Sequence, residues 1–168
     1  MLLDLLRAWR DFYVVTATAG ASLIGAMFVV ASVGVGVLTR ERIAGTHAYL
    51  TSTVVHMGVV VLASLLTMVP SLEWASFGGV LLLGGIVGFL YEAATASAVR
   101  RFRADWTDSL WYAAIPLIVY VGFVAAGIMG MAGRVRTLDV LAVAVVLLLI
   151  CGVRNAWDMI LMIVTRER

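Results

Sequence analysis

Five long apolar runs, separated by short polar or turn-forming segments, set the pattern of this chain. They lie at about 13–38, 49–69, 75–98, 108–131 and 138–164. Each matches the roughly 20 apolar residues that a helix needs to cross a bilayer. In lipid the backbone must satisfy its own polar groups, so these runs are predicted as helices. Ahead of them, Leu2, Leu3, Leu5, Leu6, Trp9 and Phe12 alternate with Asp4, Arg7, Arg10 and Asp11 at helical spacing. That pattern predicts an amphipathic helix over 1–12, lying in the membrane interface. The expected fold is all-α: one membrane domain over 1–168, five transmembrane helices in one bundle behind a short interfacial helix. The start has no basic leader and no clear small-residue cleavage site, so a cleavable signal peptide is not expected.

Small residues recur every four positions inside the runs, a spacing that lets two helix backbones approach closely. The first run carries Ala17, Ala21 and Gly25, with Ser32 and Gly36 repeating the step. The third carries Gly84, Gly88 and then Glu92, and the fourth carries Gly122, Ala126 and Gly130. Glu92 therefore shares a stripe with two glycines and is expected to face another helix. Pro70 ends the second run and Pro116 falls within the fourth. The segment Thr39 to Ala48 is predicted as a polar loop.

Five crossings put the two ends of the chain on opposite sides. Arg7, Arg10, Arg134 and Arg136 fall on the amino-terminal side, and Arg40, Arg42, Arg100, Arg101, Arg103, Arg166 and Arg168 on the other. The heavier side is cytoplasmic under the positive-inside rule, which places the amino-terminus outside and the carboxy-terminus inside. Trp9 and Trp74 would mark the outer interface, Trp106 and Trp111 the inner one, with Trp157 a further candidate that would make the nearby polar residues shallower.

Composition agrees with this class and removes others. The chain is 63% hydrophobic and 13% charged, outside the range of soluble domains. A net charge of +2 without a basic aromatic patch gives no reason to expect nucleic acid as a partner. Cys151 is alone, lies in the last run and is expected to behave as a small hydrophobe. No phosphate-binding loop, nucleophile elbow or dinucleotide fingerprint occurs, and no cofactor is expected.

Chemistry concentrates at one depth. Counted from the inner side, His56 lies roughly 10 Å in, Glu92 roughly 9 Å, Asp158 at a similar depth and Arg154 roughly 15 Å, at 1.5 Å per residue. Tyr91, Tyr112 and Asn155 belong to the same layer. Charges inside a span must pair with something and default to a functional-site hypothesis. Arg154 and Asp158 are four apart on one helix, in the less favourable order for a helical pair, so Glu92 is expected to be the main partner of Arg154. His56 should then bond one of the two carboxylates. Such a network either pins helix register or carries protons, since His titrates near neutral pH. A metal held by His56, Glu92 and Asp158, with His47, is disfavoured because the guanidinium opposes a cation, and no metal site is expected.

The opening Trp9-Arg10-Asp11-Phe12-Tyr13 and the run Gly152-Val153-Arg154-Asn155-Ala156-Trp157-Asp158 resemble a group of small, uncharacterised bacterial multi-span membrane proteins. The Arg-Asn-Ala-Trp-Asp run is the most specific part. The resemblance implies a bacterial cytoplasmic (inner) membrane and no particular activity. The function expected first is non-enzymatic: assembly in the lipid bilayer, as a homo-oligomer or as an accessory subunit beside other membrane subunits. The alternative is an oligomeric proton or cation channel lined by the polar layer, and the third reading is an intramembrane enzyme.

Overall fold

A computed structural model describes residues 2–34, 40–100 and 110–164, and the side chains of 2–32, 51–96, 110–158 and 160–161. Gly36, Arg101, Arg103, Trp106, Arg166 and Arg168, and the side chains of Arg40, Arg42, His47 and Arg100, lie outside the described residues. Every described element is helical: α1 (Leu2–Ala8), α2 (Arg10–Gly34), α3 (Arg40–Leu66), α4 (Trp74–Arg100), α5 (Ile115–Met131) and α6 (Thr137–Val164), with a π-helical turn at Leu110–Ala114 leading into α5. Among the described residues, four stretches are long and apolar enough to cross a membrane: Arg10–Ser32, Trp74–Ala96, Leu110–Met131 and Thr137–Asp158. Within α3 the apolar stretch is shorter, Thr51–Leu66.

Residue pairings give the helix directions. Thr16 meets Ser64 and Gly20 meets Val60, so α2 and α3 are antiparallel. Met57 meets Gly152 and Thr53 meets Asn155, so α3 and α6 are antiparallel as well. Gly78 packs on Gly130, Leu82 on Gly127 and Gly85 on Val124, which sets α4 against α5 in the opposite sense. Tyr13 and Leu138, at the starts of α2 and α6, are joined by a hydrogen bond from the Tyr13 hydroxyl to the Leu138 carbonyl (2.9 Å). The chain thus alternates direction from α2 through α6. Its outer surface is apolar, with Val15, Phe28, Leu62, Leu83, Leu90 and Val143 among the exposed side chains. An apolar exterior of this extent marks a membrane-facing surface. Hydroxyls on that surface bond back to their own helix, Thr18 to the Val14 carbonyl and Ser32 to that of Phe28 (both 2.8 Å), which satisfies them without water.

Three local departures from the expected pattern have physical causes. The expected loop Thr39 to Ala48 is helical from Arg40, because Arg-Glu-Arg-Ile-Ala contains no turn chemistry and polar residues alone do not end a helix. The fourth run is not a uniform α-helix. Pro116 has no N–H and its ring would collide with the carbonyl one turn back, and the wider turn Leu110–Ala114 relieves that collision before α5 begins. Residues 2–12 do not lie wholly apart from the bundle, since Leu2 and Leu6 are buried in the main apolar core while Asp4 and Arg7 stay exposed. At the end of α5, Gly133 takes φ +66°, a conformation costly for other residues. Its N–H bonds the Gly130 carbonyl (2.8 Å) and closes the turn into α6.

Candidate functional site

The polar layer forms inside the bundle, with a membership different from the expected one. On α3, Ser52, Thr53 and His56 face inward, at 5%, 1% and 1% exposure. Glu92 reaches in from α4 at 0% and Tyr120 from α5 at 0%. His56 Nε2 lies 3.2 Å from Glu92 Oε2 and 3.2 Å from Ser52 Oγ. Ser52 Oγ donates to the same carboxylate oxygen at 3.4 Å. On the other side of the ring, Nδ1 is 2.8 Å from the Tyr120 hydroxyl. Asn155 of α6 donates from Nδ2 to Thr53 Oγ1 (3.2 Å). Four helices therefore contribute to one buried layer.

Arg154 is not the partner of Glu92. Its Nε donates to both oxygens of Asp158 on its own helix (3.1 and 3.0 Å), and its guanidinium stands 5.8 Å from the ring centre of Trp111. The side chains of this pair are 43% and 27% exposed, against 2% and 0% for His56 and Glu92. The expected order penalty for an Arg–Asp pair is worth only tenths of a kcal/mol, too little to draw a guanidinium away from the bundle edge into the core. Of the expected cluster, His56, Glu92 and Asn155 come together, Arg154 and Asp158 form a separate pair near the rim, and Tyr91 and Tyr112 are half-buried. The Tyr91 carbonyl accepts from Thr95 Oγ1 (3.0 Å), and Tyr112 belongs to the π-helical turn.

Tyr120 and Thr53 were not legible as site residues. A tyrosine at mid-span carries one signal, since its hydroxyl needs a partner where there is no water. Gly88 makes room for it: a Cβ there would overlap the Tyr120 ring. The other small residues divide. Gly130 packs on Gly78, and Ala126 is wholly buried, so the α5 stripe works within the bundle. Gly122 is half-buried, and a Cβ there would sit 3.7 Å from Ala144 of α6. Gly84 and Gly25 have open space around them, Ala21 is exposed and Ala17 is half-buried. The close α2–α3 contact runs through Gly20 instead, where a Cβ would sit 3.0 Å from Val61.

The layer has more than one proton arrangement on the same heavy-atom frame. With a hydrogen on Nε2 alone, His56 donates to Glu92 and accepts from the Tyr120 hydroxyl. With hydrogens on both ring nitrogens, His56 donates to Glu92 and to the Tyr120 oxygen, which acts equally well as acceptor. Two buried acceptors, Glu92 Oε1 and Asn155 Oδ1, have no hydrogen-bond partner among the described residues. Toward the start of α2, Met57 and Val60 are fully buried and separate this layer from a second, hydroxyl-lined contact, Thr16 to Ser64 (3.0 Å). No protein-family model matches the chain, and neither does any curated protein or solved structure.

Proposed function

We propose that this chain is a five-span protein of a bacterial cytoplasmic membrane whose working part is a proton-binding centre at His56 and Glu92. The observation that carries this reading is the placement of His56 between a carboxylate and a phenol, with no exposure to speak of, on a frame that accepts either one or two ring hydrogens. Glu92 Oε1 has no hydrogen-bond partner among the described residues. The apolar step at Met57 and Val60 argues for a bound proton that biases helix packing rather than for an open proton wire.

The fifth crossing in this reading is α3. Both α2 and α4 contain a membrane-length stretch and run the same way, so α3 must carry the chain back across. Its 27 residues extend about 40 Å. The short α1 would lie at the interface with Asp4 and Arg7 outward and Leu2 and Leu6 against the bundle. The arginine count supports a cytoplasmic position for the bundle end where α2 stops, and the His56 layer would then belong to the inner leaflet.

The test is the response of the purified protein to acidification. Wild type should shift its melting temperature and tryptophan fluorescence when acidified, and His56→Gln with Glu92→Gln should lose the shift. A response that survives both substitutions ends this reading, and proton flux through proteoliposomes well above leak would replace it with a conducting one.

A second reading, assembly with copies of itself or with other membrane subunits, is favoured by α2. Its apolar window is 17% buried, against 50% for that of α6, and Ala21 and Gly25 face outward. Gly25→Leu would then lower the oligomer mass in detergent and leave the monomer folded.

A further inference from the structure

At the bundle end where α2 begins, a groove of about 360 Å³ runs between α1 and the end of α3, lined by Leu3, Leu6, Arg7, Arg10, Met68 and Pro70. Beside it, an apolar cleft of about 450 Å³ descends between α3, α4 and α5, lined by Val59, Leu62, Leu66, Val80, Gly84 and Phe123. Val69 lines both, so the charged groove and the apolar cleft meet at that side chain.

We infer that this pair of cavities binds one anionic phospholipid, its phosphate on Arg7 and Arg10 and one acyl chain in the cleft. Arg10 opens the membrane-length stretch Arg10–Ser32, which places its guanidinium at headgroup level. Arg7 is three residues before it, on the same side of a chain whose Leu5–Trp9 and Trp9–Tyr13 backbone bonds stay helical. Arg7 approaches Asp4 only to 4.0 Å, with both side chains largely exposed, so that contact leaves its donors available. Two guanidinium groups on a groove at this level select a phosphate without a compensating cation over a zwitterionic headgroup. From Val69 to Val59 the cleft extends about 15 Å along α3, enough for most of an acyl chain. Gly84 floors it: a Cβ there would meet nothing within 4 Å, so the cleft is open where the expected helix contact is absent.

The experiment incubates the detergent-purified protein with equal amounts of dioleoyl-phosphatidylglycerol and dioleoyl-phosphatidylcholine and measures the lipid retained by native mass spectrometry. Wild type should retain several-fold more phosphatidylglycerol. Arg7→Gln and Arg10→Gln should each reduce that ratio roughly fivefold, the effect of one surface arginine. Gly84→Leu should reduce retention of both lipids and keep the ratio. Arg136→Gln, an exposed arginine at the same bundle end outside the groove, should change neither. The inference is overturned by equal retention of the two lipids in wild type, by Arg136→Gln matching the groove variants, or by Gly84→Leu leaving retention intact. Displacement of the lipid by millimolar inorganic phosphate would overturn it in favour of a soluble anion.

Discussion

Gly88 and Tyr120 face each other so closely that no other residue fits at position 88 without moving the phenol. That contact holds the Tyr120 hydroxyl 2.8 Å from His56 Nδ1. Gly88→Ala should therefore act on the polar layer as well as on packing. Overpacking of this kind costs about 1–3 kcal/mol, read as a lower melting temperature. In the Tyr120→Leu background the same substitution should cost clearly less, and equal costs in both backgrounds would show that Gly88 is held by something other than the ring.

His56 and Glu92 should behave as a coupled pair in a double-mutant cycle. His56→Leu leaves a buried carboxylate without its charged or hydrogen-bonding neighbour, a loss of about 3–5 kcal/mol. His56→Leu with Glu92→Leu removes both and should cost clearly less than the sum of the single changes. Additive losses in thermal unfolding would mean that the 3.2 Å contact carries no coupling.

The sequence made the helices and the membership of His56, Glu92 and Asn155 in one layer legible, because long apolar runs and buried polar residues have few other solutions. It did not make the pairings legible. A step of four residues turns a helix by about 40° beyond a full circle. From Gly84 to Glu92 the stripe therefore rotates by about 80°, which leaves Gly84 outward, Gly88 on Tyr120 and Glu92 inside. A stripe drawn from sequence treats these as one face. On α2, Gly25 lies about 140° round the helix from Gly20, so it faces outward while Gly20 makes the contact with α3. Tyr120 and Thr53 were hidden for a different reason: one counts as aromatic and the other as small, and only a partner on another helix reveals their polar ends.

Arg154 gives a contrasting prediction. Its partners include Asp158 one turn along and the Trp111 ring, at the rim of the bundle. A partly exposed helical ion pair contributes well under 1 kcal/mol, and a ring contact at such a site about as much again. Arg154→Gln should thus lower the melting temperature far less than His56→Leu, and its effect should add to that of Glu92→Leu. Strong non-additivity between Arg154 and Glu92 would reinstate the pairing expected from sequence.

The crossing of α3 is open to direct labelling. Ser71 follows α3, Arg134 follows α5, and both are exposed at the bundle end where α2 starts. If α3 crosses the membrane, Ser71→Cys and Arg134→Cys should react with an impermeant thiol reagent from the same side as Ala8→Cys. Arg40→Cys, at the first residue of α3, should react only from the other side. The native Cys151 is buried in the bundle and should stay silent. The alternative, an α3 that enters and returns, would put Ser71 and Arg40 on one face. It would also bring the polar side of α3, with Ser52, Thr53, His56, Ser64 and Thr67 all buried against other helices, into register with only one end of its neighbours. The pairings of Thr16 with Ser64 and of Thr53 with Asn155 lie about 16 Å apart along α3, with α3 antiparallel to α2 and to α6. α3 is one unbroken helix over Arg40–Leu66 and does not turn back on itself, so Arg40 at its start and Ser71 beyond its end should report opposite faces.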